Sequence, residues 1–202
     1  MPSVAASVAS GRDWFAPQRT ENAEEFHAFT ALRSGRTAVR RTRPEEIGPL
    51  LSAARTAIGA AMASEAVVTR VVMQHPDSAW TFVRNGRLVG CLAMLMLTGT
   101  GLTALLSDSG IDFRDPAPRF LADPSDAPAA IYIWGLLAPA LAIDGVAEVM
   151  LRLNSRQYDS ADIYAFQTTV QGARFQGRLG FQRVLGHPRN LYRYVRLANR
   201  PH

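Results

Sequence analysis

The chain has 202 residues, 48% of them hydrophobic and 19% charged, a balance that fits one globular domain and excludes a disordered or fibrous chain. Its formal charge of +5 comes from arginine alone, because the sequence contains no lysine. No run approaches the ~20 apolar residues of a membrane span, and the Ala/Ser-rich start from Met1 to Gly11 lacks the basic flank and apolar core of a secretory signal, so a cytoplasmic location is the expectation.

Residues 1–36 read as a loose arm followed by one helix. Asn22 and Glu25 form a capping-box pattern, Phe26, Phe29 and Leu32 share a helical face, and Gly35 ends it. A strand at 37–43 leads to Pro44-Glu45-Glu46, a first helical turn in which proline has no amide to leave unpaired and the acids complement the helix dipole. Helices are predicted over 45–57 and 62–73, with Ile47, Leu50, Leu51 and Ala54 inward in the first. Two β-rich runs, 79–84 and 87–97, flank Asn85-Gly86, the pair whose positive φ angles suit a tight hairpin.

Residues 98–129 are rich in Gly, Asp, Ser and Pro and read as a long polar connection, a lid or binding loop inserted into a domain that spans 37–197 and leaves 198–202 as a tail. Ala130 to Leu137 is apolar on both faces, as a central strand requires. Asp144 is expected to cap a helix whose buried stripe is Val146, Val149, Met150 and Leu153. A strand at 161–168 completes a βαβ crossover, which places its two strands parallel. A helix over 170–179 ends at Gly180, with Phe181 folding back on Phe175. Strands at 181–186 and 190–196 close the chain around a turn at Gly186, His187 and Pro188.

The densest basic cluster, Arg33, Arg36, Arg40, Arg41 and Arg43, straddles a β-type run with no aromatic platform beside it. That arrangement argues against a nucleic-acid partner. His75 and His187 stand beside prolines without partners at ligand spacing, so no metal is expected. Cys91 lies in an apolar run and reads as a small buried hydrophobe rather than a nucleophile. Homodimerisation stays open.

The segment Gly172-Ala173-Arg174-Phe175-Gln176-Gly177-Arg178-Leu179-Gly180-Phe181 closely resembles the late helix and Leu-Gly-Phe exit of the GNAT acyltransferase superfamily. Pro139 followed by Ala142-Ile143-Asp144-Gly145-Val146-Ala147 resembles that superfamily's cofactor turn, Gln/Arg-x-x-Gly-x-Gly/Ala after a proline. The resemblance runs from about Ala38 to Arg196. It implies an α/β (α+β) fold with a mixed central sheet of about six to seven strands flanked by helices, and an N-acyltransferase using acetyl-CoA or another acyl-CoA as donor and an amine as acceptor.

By the same resemblance, the backbone of Leu136, Leu137 and Ala138 pairs with the pantetheine arm. The turn at Gly145, Val146 and Ala147 meets the pyrophosphate, since a helix N-terminus offers unpaired amides and a positive dipole end. Three positions depart from the pattern. Ala142 replaces the Gln/Arg, Asp144 adds a carboxylate that faces the phosphates or turns back to cap its own helix, and Gln176 stands where many members carry a tyrosine that protonates the departing thiolate. These departures keep a second reading in view, a catalytically silent GNAT fold that binds a ligand or a protein. Tyr132, Trp134 and Tyr164 line an acceptor pocket or belong to the core. The acidic 98–129 stretch attracts a cationic amine or is merely solvated.

Overall fold

The Asn85-Gly86 turn sets the frame of the sheet. Both residues take positive φ, 50° and 74°, so the two strands reverse tightly and pair antiparallel. The computed structural model describes residues 36–58, 62–108, 110–139, 142–167, 170–196 and 199; the helix read at 22–35 lies outside them. The elements in chain order are β1 (Ala38–Arg41), α1 (Pro44–Ile58), α2 (Glu65–Gln74), β2 (Ala79–Arg84), β3 (Arg87–Leu97), α3 (Gly99–Leu106), β4 (Ala130–Leu137), α4 (Ile143–Arg152), β5 (Asp162–Phe166), α5 (Val170–Arg178), β6 (Gln182–Arg183) and β7 (Leu191–Tyr194). Seven strands form one sheet in the order β1-β2-β3-β4-β5-β7-β6. Among the described strands only β4 and β5 are parallel, as the crossover through α4 demands.

Side-chain alternation divides the core between the two faces of the sheet. Ile131 and Ile163 point to a cluster with Phe82, Val146 and Val149, so α4 covers that face. Tyr132 and Tyr164 point the other way, to Val71, Leu105 and Leu121. Ile47 and Leu51 of α1 pack on Val72 and Ala79.

Local chemistry pins the helix ends. Glu46 accepts a hydrogen bond from the Arg43 amide at 3.0 Å, half of a capping box, and pairs with Arg40. The Arg40 guanidinium, despite partial burial, holds the Glu46 carboxyl below its usual range. Arg41 pairs with Asp77 at 2.8 Å, so two arginines of the basic cluster engage carboxylates of the fold. The buried Arg196 donates to the carbonyl of Leu153 at 2.9 Å and tethers the end of α4 to the C-terminal segment.

The 98–129 stretch differs from the expected polar connection. It opens with α3, capped by the Thr98 hydroxyl accepting from the Gly101 amide at 3.1 Å, and Phe120, Leu121 and Ala122 are buried. The close approach of the Phe120 carbonyl explains Gly101, where a Cβ would lie 2.5 Å from that oxygen. The closing strands are shorter than the 181–186 and 190–196 expected. No helix among the described residues is long and apolar enough to cross a membrane.

Candidate functional site

The gap in the sheet arises between β4 and β5. The eight residues of β4 pair along most of their length with β3, from Leu97↔Ala130 to Cys91↔Leu137. On the other side β4 pairs with β5 only at Ala130↔Asp162, Ile131↔Ile163 and Tyr132↔Tyr164. From Ile133 to Leu137 no described strand pairs with the second edge of β4, an arrangement that suits an extended ligand. A bulge interrupts the pairing of β4 with β3. Ala93 faces Gly135 while the next β3 residue, Met94, faces Ile133, so Trp134 is an extra residue in β4.

The helix α4 begins one short connection after β4, but its cap differs from the expectation. Ala142, fully buried, is the N-cap and offers no side-chain bond. Asp144 sits one residue inside the helix. Its carboxylate accepts from the Gly145 amide at 3.1 Å and from the Thr37 amide at 3.4 Å. Partial burial opposes the charge, yet these bonds and the nearby Arg84 cation outweigh it and hold the carboxyl below its usual range. Asp144 thus turns back onto its own helix and onto the segment before β1. One of the first-turn amides, that of Gly145, is occupied by a carboxylate of the chain itself.

The residues read from the sequence as donor-binding separate here. Leu136 and Ala138 are half-buried and pack on the core, and Leu137 is buried opposite Cys91. Val146 is a core side chain and Ala147 is exposed. Gly145 is buried with the Phe82 ring beneath it, and a Cβ there would stand 2.8 Å from Phe82 Cδ1. Its smallness is thus demanded by the packing of α4 on β2. Gly90 acts in the same way for β4, since a Cβ would meet the Leu137 carbonyl oxygen at 2.2 Å. Burial drives the Cys91 thiol up to about 12, which removes it as a nucleophile at neutral pH.

On the opposite face an aromatic group surrounds the point where the strands part. Phe113, carried by the stretch after α3, lies 4.6 Å from the Tyr132 ring and 5.7 Å from the Phe166 ring. The Trp134 indole donates to the Phe113 carbonyl at 2.7 Å. Arg189 places its guanidinium 4.1 Å over the Phe166 ring and pairs with Asp108 at 2.5 Å. His187 is buried between Leu105 and Arg189. Its Nε2–H donates to the Leu105 carbonyl at 3.0 Å, since that oxygen can only accept, and its Nδ1 lies 3.0 Å from the Arg189 carbonyl and 3.2 Å from the Arg189 amide. Of these residues the sequence singled out Tyr132, Trp134 and His187. It missed Phe113, Phe166 and Arg189, which only the topology gathers. Tyr164 is buried beside them.

Gln176 of α5 lies beside the end of β5. It is 9% exposed, and its Nε2 donates to the carbonyl of Phe166, the last residue of β5, over a long 3.5 Å. Its Oε1 is buried with no hydrogen-bond partner. No group of three His, Cys, Asp or Glu residues able to hold a metal ion is found among the described residues.

No protein-family model matches the sequence, and it matches no curated protein at a significant level. Solved structures do match. The loading GNATL domain of CurA from Lyngbya majuscula superposes with a TM-score of 0.57 at 13% identity, over 79% of this chain and 98% of that one. The chain has the GNAT acyltransferase fold. Diaminobutyrate acetyltransferase EctA from Paenibacillus lautus, solved with its substrate and coenzyme A, is similar at a TM-score of 0.50 and 12% identity, over 83% of this chain and 99% of that one. The seven-stranded mixed sheet flanked by helices is the architecture expected from the sequence, and the parallel β4–β5 pair lies at its centre.

Proposed function

We propose that this protein is an N-acyltransferase that moves an acyl group from acyl-CoA to an amine. The observation that carries the reading is the free second edge of β4 from Ile133 to Leu137, the length over which β5 has withdrawn. With β3 on one side and no described strand on the other, such an edge suits an amide-bearing pantetheine arm, which pairs with it as an added strand would. The N-terminus of α4 lies one short connection beyond and favours the negative charge of the diphosphate. The sequence-derived donor contacts are then made by the backbone of Leu136, Leu137 and Ala138 and by the first turn of α4 around Gly145, Val146 and Ala147.

In this reading the acceptor amine attacks the thioester carbonyl, the C–N bond forms as the C–S bond breaks, the thiolate leaves and the amine gives up a proton to water. Backbone amides of β4 hold the carbonyl and polarise it. Burial raises the Tyr132 and Tyr164 hydroxyls above their ordinary range, so both stay protonated donors beside the mouth. Resemblance of fold to EctA, solved with coenzyme A, supports the donor class, and the acceptor is left as an amine.

Calorimetric titration with acetyl-CoA and longer acyl-CoAs, followed by thiol release in the presence of amines, tests the reading. Saturable binding and amine-dependent thiol release are expected. Absence of binding at millimolar acyl-CoA would refute it, and binding without turnover of any amine would favour the silent fold instead.

A further inference from the structure

The helix α4 presents apolar side chains to solvent as well as to the core. Ile143, Ala147 and Leu151 recur at every fourth residue, so they form one stripe along the helix. All three are exposed, Ile143 at 44% and Leu151 at 70%, on the flank opposite the buried Gly145 and Val149. Single exposed leucines are ordinary, whereas a stripe that runs the length of a helix marks a contact surface. Beside it an open cavity of about 320 Å³ is lined by Arg36, Thr37, Ala38, Val39 and Glu148. The chain enters the described fold at this seam. The Thr37 amide donates to the Asp144 carboxylate at 3.4 Å in the first turn of α4, and Arg152 in its last turn donates to the Val39 carbonyl at 3.3 Å. The backbone from Thr37 to Val39 therefore follows α4 in the helix's own direction, and the residues before Arg36 leave from the end of α4 that carries Ile143. Those residues include 22–35, whose sequence reads as a helix with Phe26, Phe29 and Leu32 on one face and Gly35 as its stop.

We propose that residues 22–35 form this helix and lay its Phe26, Phe29 and Leu32 face, antiparallel, on the stripe of Ile143, Ala147 and Leu151. The connection is short enough to enforce the pairing, since only Arg33, Ser34 and Gly35 separate Leu32 from Arg36. The lengths agree as well. At about 1.5 Å per residue, Phe26 to Leu32 spans ~9 Å along a helix and Ile143 to Leu151 spans ~12 Å. Charge favours the antiparallel direction. Arg33 then falls at the end of α4 that carries Asp144, Glu24 and Glu25 fall at the end that carries Arg152, and the two helix dipoles oppose each other. The proposal is independent of the acyl-CoA reading, because the stripe and the free β4 edge involve different residues.

A double-mutant cycle on the full chain tests it. Leu151→Gln and Phe29→Gln each exchange an apolar side chain for a polar one that suits a helix. Each should lower the melting temperature by about 2–4 °C, and the double mutant should lose clearly less than the sum of the two. Leu185→Gln, at a residue 89% exposed and off the stripe, should leave the melting temperature unchanged. An unchanged melting temperature in Leu151→Gln would overturn the proposal, since an uncovered surface leucine loses nothing on exchange for glutamine. Additive shifts would put the two side chains in separate contacts and would also overturn it. So would a wild-type dimer, seen by light scattering, that Leu151→Gln dissolves and Phe29→Gln leaves whole, because a second copy of the chain would then cover the stripe.

Discussion

Gly145→Ala separates two reasons for a glycine at the head of α4. One is room for a phosphate and the other is room for the core. The added Cβ would stand 2.8, 3.0 and 3.2 Å from Cδ1, Cγ and Cε1 of Phe82, whose side chain is 0% exposed and has nowhere to retreat. Overpacking of this kind costs about 1–3 kcal/mol. The gain of replacing a helical glycine by alanine is at most about 0.5–1 kcal/mol, because Gly145 has no positive φ to preserve. The difference is a net loss of about 0–2.5 kcal/mol, centred near 1, which for a chain of this size lowers the melting temperature by about 2–4 °C. Thermal unfolding followed by circular dichroism reads it directly. In the double mutant with Phe82→Leu, which trims the ring, the combined loss should fall short of the sum of the single losses by about 1 kcal/mol. A Gly145→Ala protein as stable as the wild type but weakened for acetyl-CoA would refute the packing argument.

Asp144→Asn should strengthen acetyl-CoA binding. The residue is exposed, so water's dielectric applies and a unit charge ~4 Å from a phosphate costs about 1 kcal/mol, roughly fivefold in affinity; the gain should shrink in high salt, and unchanged affinity at low salt would contradict it. His75 is 2% exposed with both ring nitrogens unpartnered. Burial lowers its pKa, with Arg41 acting the same way and Asp77 and Asp123 opposing. The folded protein therefore keeps His75 neutral where the unfolded chain takes up a proton, and stability is lost as pH falls below about 6.5. Urea unfolding should show lower stability at pH 5 than at pH 7, with a smaller drop in His75→Phe, and an equal drop in that variant would contradict the assignment.

The parts of the fold written in local chemistry were legible. Asn85-Gly86 takes the positive φ angles its side chains tolerate, and Val146 and Val149 face the core as their spacing requires. The helix α3 was hidden because Gly99 and Gly101 argue against a helix. The Thr98 cap with Leu102 and Leu105 was the signal available, and tertiary contact with Phe120 supplies the reason for the second glycine. The cap of α4 was misassigned to Asp144 because Ala142, the residue at the cap, carries no side-chain acceptor at all. The gap itself has no signature in the sequence of β4, whose apolar run reads the same whether or not a strand lies on each side. Phe113, Phe166 and Arg189 meet only because the chain brings three distant segments to that gap.

Residue-resolved hydrogen exchange with and without acetyl-CoA tests the central claim, that the free edge of β4 receives the donor. The account predicts that outward amides between Ile133 and Leu137 gain protection on binding, while the β4 amides already paired with β3 change little. Saturating acetyl-CoA that leaves every amide of this stretch exchanging at its original rate would contradict it.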